Sequence, residues 1–257
     1  MTMKLLAAAC LLLSCLVLAK PARAADEFEA RVFQGEGGEK LAYRLLKPAN
    51  YDPSRQYPLV VFLHGAGERG TDNAAQLKHV AWIFVTAENR AKFPCFVLAP
   101  QCPASEQWVN VPWGAERHRT PEQPSRPMWQ TMRLIGELEK EFRIDPARRY
   151  AIGLSMGGFG VWDALARYPD EFAAGVPICG GGDETRAAAV AKTPVWAFHG
   201  DKDTVVKTSR SRNMVDALQK AGAKPKYTEY PGVGHDAWSR AVKEPQLLPW
   251  LFAQKRQ

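Results

Sequence analysis

The 257-residue sequence is short of cysteine, with five. None of them forms a CxxC pair or stands at zinc-ligand spacing, so a dithiol redox centre and a structural zinc site are excluded. Like charges never run five or six together, which removes the usual footprint of a nucleic-acid partner and leaves a solvated, mixed surface. Internal repeats and an interdomain linker are also missing, so neither a solenoid nor a multidomain chain is expected. Only one long apolar run occurs, Leu5 to Ala19, broken by Ser14 and two cysteines. At about fifteen residues it falls short of the roughly 20 needed to span a bilayer.

That run has the marks of a secretory leader. Lys4 precedes it, and Ala22-Arg23-Ala24 follows with the small-x-small pattern of a cleavage site. The expectation is a signal peptide over residues 1–24 and one catalytic domain over residues 25–257, secreted or periplasmic, with no stable membrane insertion after cleavage. Leu12-Leu13-Ser14-Cys15 resembles a lipid-attachment box, so anchoring at Cys15 is an alternative, although Leu16 to Leu18 continue the apolar run. Lys4, Lys20 and Arg23 would leave with the leader and lower the net charge from +7 to about +4. Cys95, Cys102 and Cys179 would remain, as one disulfide and a free thiol or as three buried thiols.

What is present is an alternation. Short apolar runs read as strands at Tyr57–Leu63, Cys95–Ala99, Tyr150–Leu154, Ala173–Cys179 and Pro194–Phe198, with a more polar edge strand at Lys226–Tyr230. Helical spacing falls at Met128–Phe142, Phe159–Tyr168, Ser209–Ala221 and His235–Ala253, the last interrupted by Pro245 and Pro249. Phe28–Phe33 and Leu41–Leu46 flank a glycine-rich turn and read as an antiparallel hairpin. The fold class expected is α/β, a mostly parallel central sheet with helices on both faces and that hairpin at its edge. Residues 101–127, with five prolines, form a long insertion.

Gly153-Leu154-Ser155-Met156-Gly157 fits G-x-S-x-G between a strand and a helix, the setting in which a serine is pushed out above the sheet. Ser155 is the candidate nucleophile. The acid and the histidine should follow in that order. Val195 to Val206 (VWAFHGDKDTVV) puts Asp201 and Asp203 on a loop after a strand. Asp203 is the candidate acid, and Asp201 is a rival that would otherwise bond backbone amides in the turn. His235, on the glycine-rich loop after the last strand, is the candidate base. His64 and His199 at strand ends, His79 in a helical run and His118 in the insertion fit that role poorly. In this chemistry His235 takes the Ser155 proton as the oxygen attacks an ester, Asp203 fixes the imidazole, and water releases the acyl group. Activity should fall on acidification, because the base must be neutral. No cofactor or metal is called for. His64-Gly65-Ala66-Gly67-Glu68-Arg69-Gly70 follows a strand, and the amides of Ala66 and Met156 are the candidate oxyanion donors. Glu68 and Arg69 read as braces of that loop.

On YPLVVFLHGAGERG (57–70), LAPQCP (98–103), GLSMGG (153–158), PICGGGD (177–183), WAFHGDKD (196–203) and YPGVGHDAW (230–238), the chain resembles bacterial α/β-hydrolase esterases of the phospholipase/carboxylesterase and feruloyl-esterase-like group. These are related to dienelactone hydrolases, which carry cysteine where Ser155 stands, and to the prolyl oligopeptidase catalytic domain. The resemblance implies a serine carboxylesterase acting on a small-molecule or polysaccharide-borne ester, with feruloyl or acetyl groups on plant cell walls as the leading substrate. A prolyl-oligopeptidase-like peptidase is the alternative. Trp108 and Trp113 in the insertion, with Trp129 just beyond, are candidates to stack on substrate or to pack the loop onto the body.

Overall fold

The computed structural model describes residues 24–35 and 37–256. Apart from Ala24, the expected leader over residues 1–24, with Cys10 and Cys15, lies outside the described residues. Eight strands form one sheet: β1 (Glu29–Gln34), β2 (Lys40–Leu46), β3 (Tyr57–Leu63), β4 (Phe96–Pro100), β5 (Ile144–Leu154), β6 (Ala174–Ile178), β7 (Trp196–Gly200) and β8 (Lys226–Tyr230). Their order is β1-β2-β4-β3-β5-β6-β7-β8. The first two strands are antiparallel to each other, and β2 is antiparallel to β4; every later pairing is parallel.

The continuous apolar strands are explained by what covers them. In β3, Leu59, Val61 and Leu63 enter the core on one face, while Val60 and Phe62 enter the core on the other. Neighbouring β4 does the same, with Phe96 and Leu98 opposite Val97 and Ala99. Two-sided burial removes the polar alternation that a one-sided sheet would show.

Parallel pairs need crossovers, and helices supply them. The helices are α1 (Ala24–Glu27), α2 (Ala87–Lys92), α3 (Arg126–Glu141), α4 (Met156–Arg167), α5 (Ala187–Val190), α6 (Ser209–Lys220), α7 (Trp238–Ala241) and α8 (Leu247–Ala253). On one face α3 to α6 pack through Leu134, Leu138, Trp162, Leu165, Val190 and Leu218. The other face is covered by residues 77–84 and by α7 and α8. The long helical pattern expected over His235–Ala253 is split in two. Pro245 falls in the gap, and Pro249 sits in the first turn of α8, where its missing N–H has no intrahelical partner to lose.

Helix α4 is buried on all sides, from Met156 to Ala166. The sheet covers one side, and the proline-rich insertion covers the other, with Trp108 lying against Gly160. The insertion is irregular but anchored. Ser125 caps α3 and donates its hydroxyl to the Trp108 carbonyl at 2.7 Å. Arg167 donates to the carbonyls of Pro121 and Glu122. Arg210 on α6, fully buried, donates to the carbonyls of Ala115 and Gly182 and to His118, with Phe159 under its guanidinium.

Cys95, Cys102 and Cys179 are all free and buried, so three buried thiols replace the disulfide alternative. Burial pushes the thiols of Cys95 and Cys102 up to about 12 and that of Cys179 up as well, which keeps all three from acting as thiolates. Among the described residues no helix is long and apolar enough to cross a membrane.

Helix α4 meets β3 backbone to backbone. A Cβ at position 157 would lie 1.9 Å from the Leu63 carbonyl oxygen. Gly157→Ala is expected to lose more than about 2 kcal/mol of stability, read as a lower urea midpoint. An unchanged midpoint would show that the helix has room to shift.

Candidate active site

The C-terminal ends of β3, β5, β7 and β8 converge on one place. Strand β5 ends at Leu154, and the chain turns sharply at Ser155, whose φ of 53° and ψ of −118° are unusual for a residue with a side chain. The turn is held by the Ser155 amide, which donates to the Ile178 carbonyl at 2.8 Å. Ser155 then precedes α4. Its Oγ lies 2.8 Å from Nε2 of His235, and Nδ1 of His235 lies 2.7 Å from Oδ2 of Asp203. Nδ1 faces a carboxylate and so carries the ring proton; Nε2 is left to accept from the serine hydroxyl.

Asp203 is fully enclosed and is bonded on every side. Its Oδ1 accepts from the amides of Val205 and Val206 at 2.8 and 2.9 Å. Its Oδ2 accepts from His235 and from Nε2 of His199, the latter at 3.2 Å. Burial alone would raise the carboxyl pKa, but the bonds from His199, His235 and the Val206 amide outweigh it and hold the group well below the carboxylate range. Asp201 takes the other role considered for it. Its carboxylate accepts from the Gly232 amide at 2.7 Å, and its own amide donates to the Tyr230 carbonyl. It therefore ties the β7 loop to the β8 loop, while the carboxylate bonded to the imidazole is that of Asp203.

The loop after β3 lies beside the serine turn; a Cβ at Gly65 would come within 2.7 Å of the Leu154 side chain. Met156 opens α4, so its amide has no intrahelical partner and is directed to the helix's N-terminal side. The direction of the Ala66 amide is set by His64. The Cys102 amide donates to Nε2 of His64 at 2.9 Å, so the proton is on Nδ1, which donates to the Gly65 carbonyl at 2.6 Å. In a trans peptide the Gly65 carbonyl and the Ala66 N–H point in opposite directions, so fixing one aims the other. Arg69 fastens the next peptide, donating from Nε to the Ala66 carbonyl at 2.9 Å and from Nη1 to the Glu106 carbonyl. Glu68, also buried, sits 3.2 Å from His79, whose ring meets Trp238, which in turn lies edge-on to His235.

Ser155, His235 and Asp203 are thus joined by hydrogen bonds, Met156 follows the serine directly, and the loop that carries Ala66 lies beside the serine turn. Trp108 is not available to substrate, which corrects the role expected for it. Its ring is fully buried, and its indole N–H donates to the His64 carbonyl at 3.0 Å. Burying a large ring with its one polar atom satisfied is the better-stabilised outcome. Trp113 is only partly buried. It packs on Val109, Val111, Phe159 and Val206 beside the site, and the Arg69 guanidinium lies 5.7 Å above its ring. Trp129 shares a groove with Tyr168 and Arg149, and the latter lies at the middle of β5, six residues before Ser155. Sequence reasoning left His64 and His199 without a role; each is a histidine ending a buried strand, which is the signal that marks them.

This fold and this site belong to a serine hydrolase of the carboxylic ester hydrolase class. The chain belongs to the esterase family whose model, described as "Putative esterase", matches residues 36–248. It is similar to a thermostable esterase of known structure, with 39% identity and a TM-score of 0.84 over 90% of this chain; it spans 64% of that longer chain. Carboxylesterase SOBER1 of Arabidopsis thaliana is 22% identical over 72% of this chain and 86% of its own length. The feruloyl esterase module of Clostridium thermocellum, solved with sinapinate, superposes with a TM-score of 0.65 over 90% of this chain and 89% of that one; at 16% identity the likeness shows the fold alone.

Two tests follow from the buried groups. Trp108→Phe should cost about 1–3 kcal/mol, because the His64 carbonyl is left unpaired; calorimetry reads it, and an unchanged Tm would refute the bond. Folding also holds His64 neutral. Burial lowers its pKa from 6.5 to about 4, against the opposing pull of the Gly65 carbonyl. The unfolded chain therefore takes up a proton as pH falls through 6.5 that the folded chain refuses until about 4. The stabilisation is whole above pH 6.5 and is lost on acidification towards 4, by about 3 kcal/mol. Urea midpoints at pH 7 and 4.5 should fall further for the native protein than for His64→Asn. Equal falls would show that His64 is not the group responsible.

Proposed function

We propose that the protein is a secreted, single-domain carboxylesterase that cleaves acyl esters through an acyl-enzyme on Ser155. The observation that carries this reading is the unbroken hydrogen-bond line from Asp203 through His235 to Ser155. His235 accepts the Ser155 proton as Oγ attacks the carbonyl carbon. Asp203 keeps the ring in the tautomer that leaves Nε2 free and stabilises the imidazolium that forms. The amides of Ala66 and Met156 donate to the developing oxyanion, each worth roughly 10²–10³ in kcat. The imidazolium then protonates the leaving alcohol. Water follows by the same route and restores the serine.

On this reading residues 1–24 are a cleaved signal peptide, and residues 25–257 make up the catalytic domain. The substrates are feruloyl or acetyl esters on plant cell-wall polysaccharide. Trp113 supports that choice, since its half-buried ring and the Arg69 guanidinium above it offer a flat surface beside the site for an aromatic acyl group or a sugar.

A panel of p-nitrophenyl acetate, methyl ferulate, acetylated xylan and a prolyl-peptide anilide tests both levels. Turnover of the esters is expected, with Ser155→Ala lowering kcat by at least about 10⁴. Asp203→Asn should be crippled and Asp201→Asn nearly normal. Cleavage of the anilide alone would replace the esterase reading with the peptidase one. Trp113→Ala should raise KM for methyl ferulate more than for the acetate, and equal effects would remove Trp113 from the acyl site.

A further inference from the structure

We propose that a basic trough on the face of the molecule opposite Ser155 binds the chain of an acidic polysaccharide. Two adjoining cavities, of about 310 and 590 Å³, share Lys192, Thr193, Pro194 and Gln254 in their walls and so form one depression. Thr193 and Pro194 precede β7, and Lys224 and Pro225 precede β8. The trough therefore lies at the strands' N-terminal ends, while Ser155, Asp203 and His235 lie beyond C-terminal ends. A five-residue strand separates the two by about 17 Å or more.

The lining is strongly one-sided in charge. Lys192, Lys224, Lys226, Lys255 and Arg256 contribute five cations against one carboxylate, Asp170. Asp145 acts on Lys255 through space, but its carboxylate is bonded to Arg148 at 2.7 Å. None of the five cations has an ion-pair partner among the described residues, whereas eight arginines elsewhere are each paired with a carboxylate. Lys226 rests on the Trp196 ring, 3.4 Å from its centroid, which fixes its stem and leaves its charge in solvent.

The walls are rigid. Trp250 stands edge-on to Trp196, and Gln254 donates to the Trp250 carbonyl at 2.8 Å. The Gln254 carbonyl accepts from the Tyr150 hydroxyl, and the Arg256 amide donates to the Ala147 carbonyl, so the C-terminal wall is tied to β5 at two points. A ligand therefore meets a preorganised channel and orders little but the lysine ends.

The shape and chemistry select the ligand. Unpaired cations spaced along a concave channel match carboxylates repeated along a polymer. The partly exposed Trp250 ring in the floor suits the apolar face of a sugar. A lipid surface would need projecting apolar side chains, and a nucleic acid would favour arginine forks over scattered lysines. The choice of a sugar polymer rests on the esterase reading of the site. A tether of this kind raises the local concentration of polymer-borne esters without touching the chemistry.

The test separates the trough from the active site. Ser155→Ala protein, which leaves the trough intact, is run in affinity gels and titration calorimetry against polygalacturonate, with neutral xylan, a DNA duplex and phosphatidylserine vesicles alongside. Polygalacturonate is expected to bind, and neutral xylan is not. Adding Lys192→Glu, Lys224→Glu and Lys226→Glu should weaken that binding at least tenfold. The same triple change with Ser155 intact should leave p-nitrophenyl acetate turnover unchanged, which also reports that the fold is whole. No binding of polygalacturonate, or equal binding by the triple variant, overturns the proposal. Tighter binding of DNA or vesicles reassigns the trough to that class. Failure of the esterase assays with binding retained would instead count against the reading of Ser155.

Discussion

Two pieces of backbone touch where side chains would forbid it. The carbonyl of Leu63, ending β3, sits against the α-carbon of Gly157 in the first turn of α4. Much of the site depends on this contact. It seats the first turn of the helix against the carbonyls of Leu63 and His64, where the loop after β3 begins. It also brings Ser155 out of β5 at a positive φ, so that Oγ stands above the sheet. The strain at Ser155, of order 1–3 kcal/mol, is held by the Ile178 carbonyl beneath it and by a helix packed on all sides. A similar approach recurs on the histidine side, where Gly200 leaves room for the carbonyls of Val233 and Gly234. The two contacts bring the ends of four strands close enough for single hydrogen bonds to span them.

The second dependence is electrostatic. Asp203 is an enclosed carboxylate, and such a group stays ionised only if its desolvation is offset. Four donors offset it, and they do not have the same job. The amides of Val205 and Val206 orient the group through one oxygen, and His199 and His235 share the other. His199 is itself fixed, since its Nε2 also donates to the Val206 carbonyl and its Nδ1 is bonded to Ser211. In the proposed chemistry His235 alone changes protonation, so the other three bonds must hold the acid while it does. A fixed second imidazole on the same oxygen limits how far Asp203 can follow the moving charge.

The positions of the strands and the order of Ser155, Asp203 and His235 along the chain were legible because each has a local cause. Two-sided burial writes an unbroken apolar run, as in Tyr57–Leu63. The elbow needs small residues at Gly153 and Gly157. What could not be read were the pairings made across the fold. The amide of Cys102 fixing the tautomer of His64 spans 38 residues, and Trp108 reaching the His64 carbonyl spans 44. Nothing local distinguishes a tryptophan that stacks on substrate from one that fills the gap over α4. The same holds for the cysteines, because an odd number permits either pairing or burial and only the packing decides.

The insertion shows how these levels join. It is proline-rich and lacks regular elements, yet Arg210, Arg167 and Ser125 hold its backbone from three helices. Arg210 is held by carbonyls and by His118 rather than by a carboxylate, and burial lowers its pKa. A buried cation with so few alternatives binds firmly only if the insertion stays where it is, so the loop and the charge stabilise each other. Through Glu106 and Arg69 that fixed loop then bears on the Ala66 peptide. The segment that carries Trp113 is thereby coupled to the Ala66 peptide, the oxyanion donor of the proposed chemistry, by two hydrogen bonds from one guanidinium. If Trp113 meets the acyl group as proposed, a substrate that presses on it also bears, through Arg69, on the Ala66 peptide, so in the proposed chemistry choice of substrate and rate of attack are coupled.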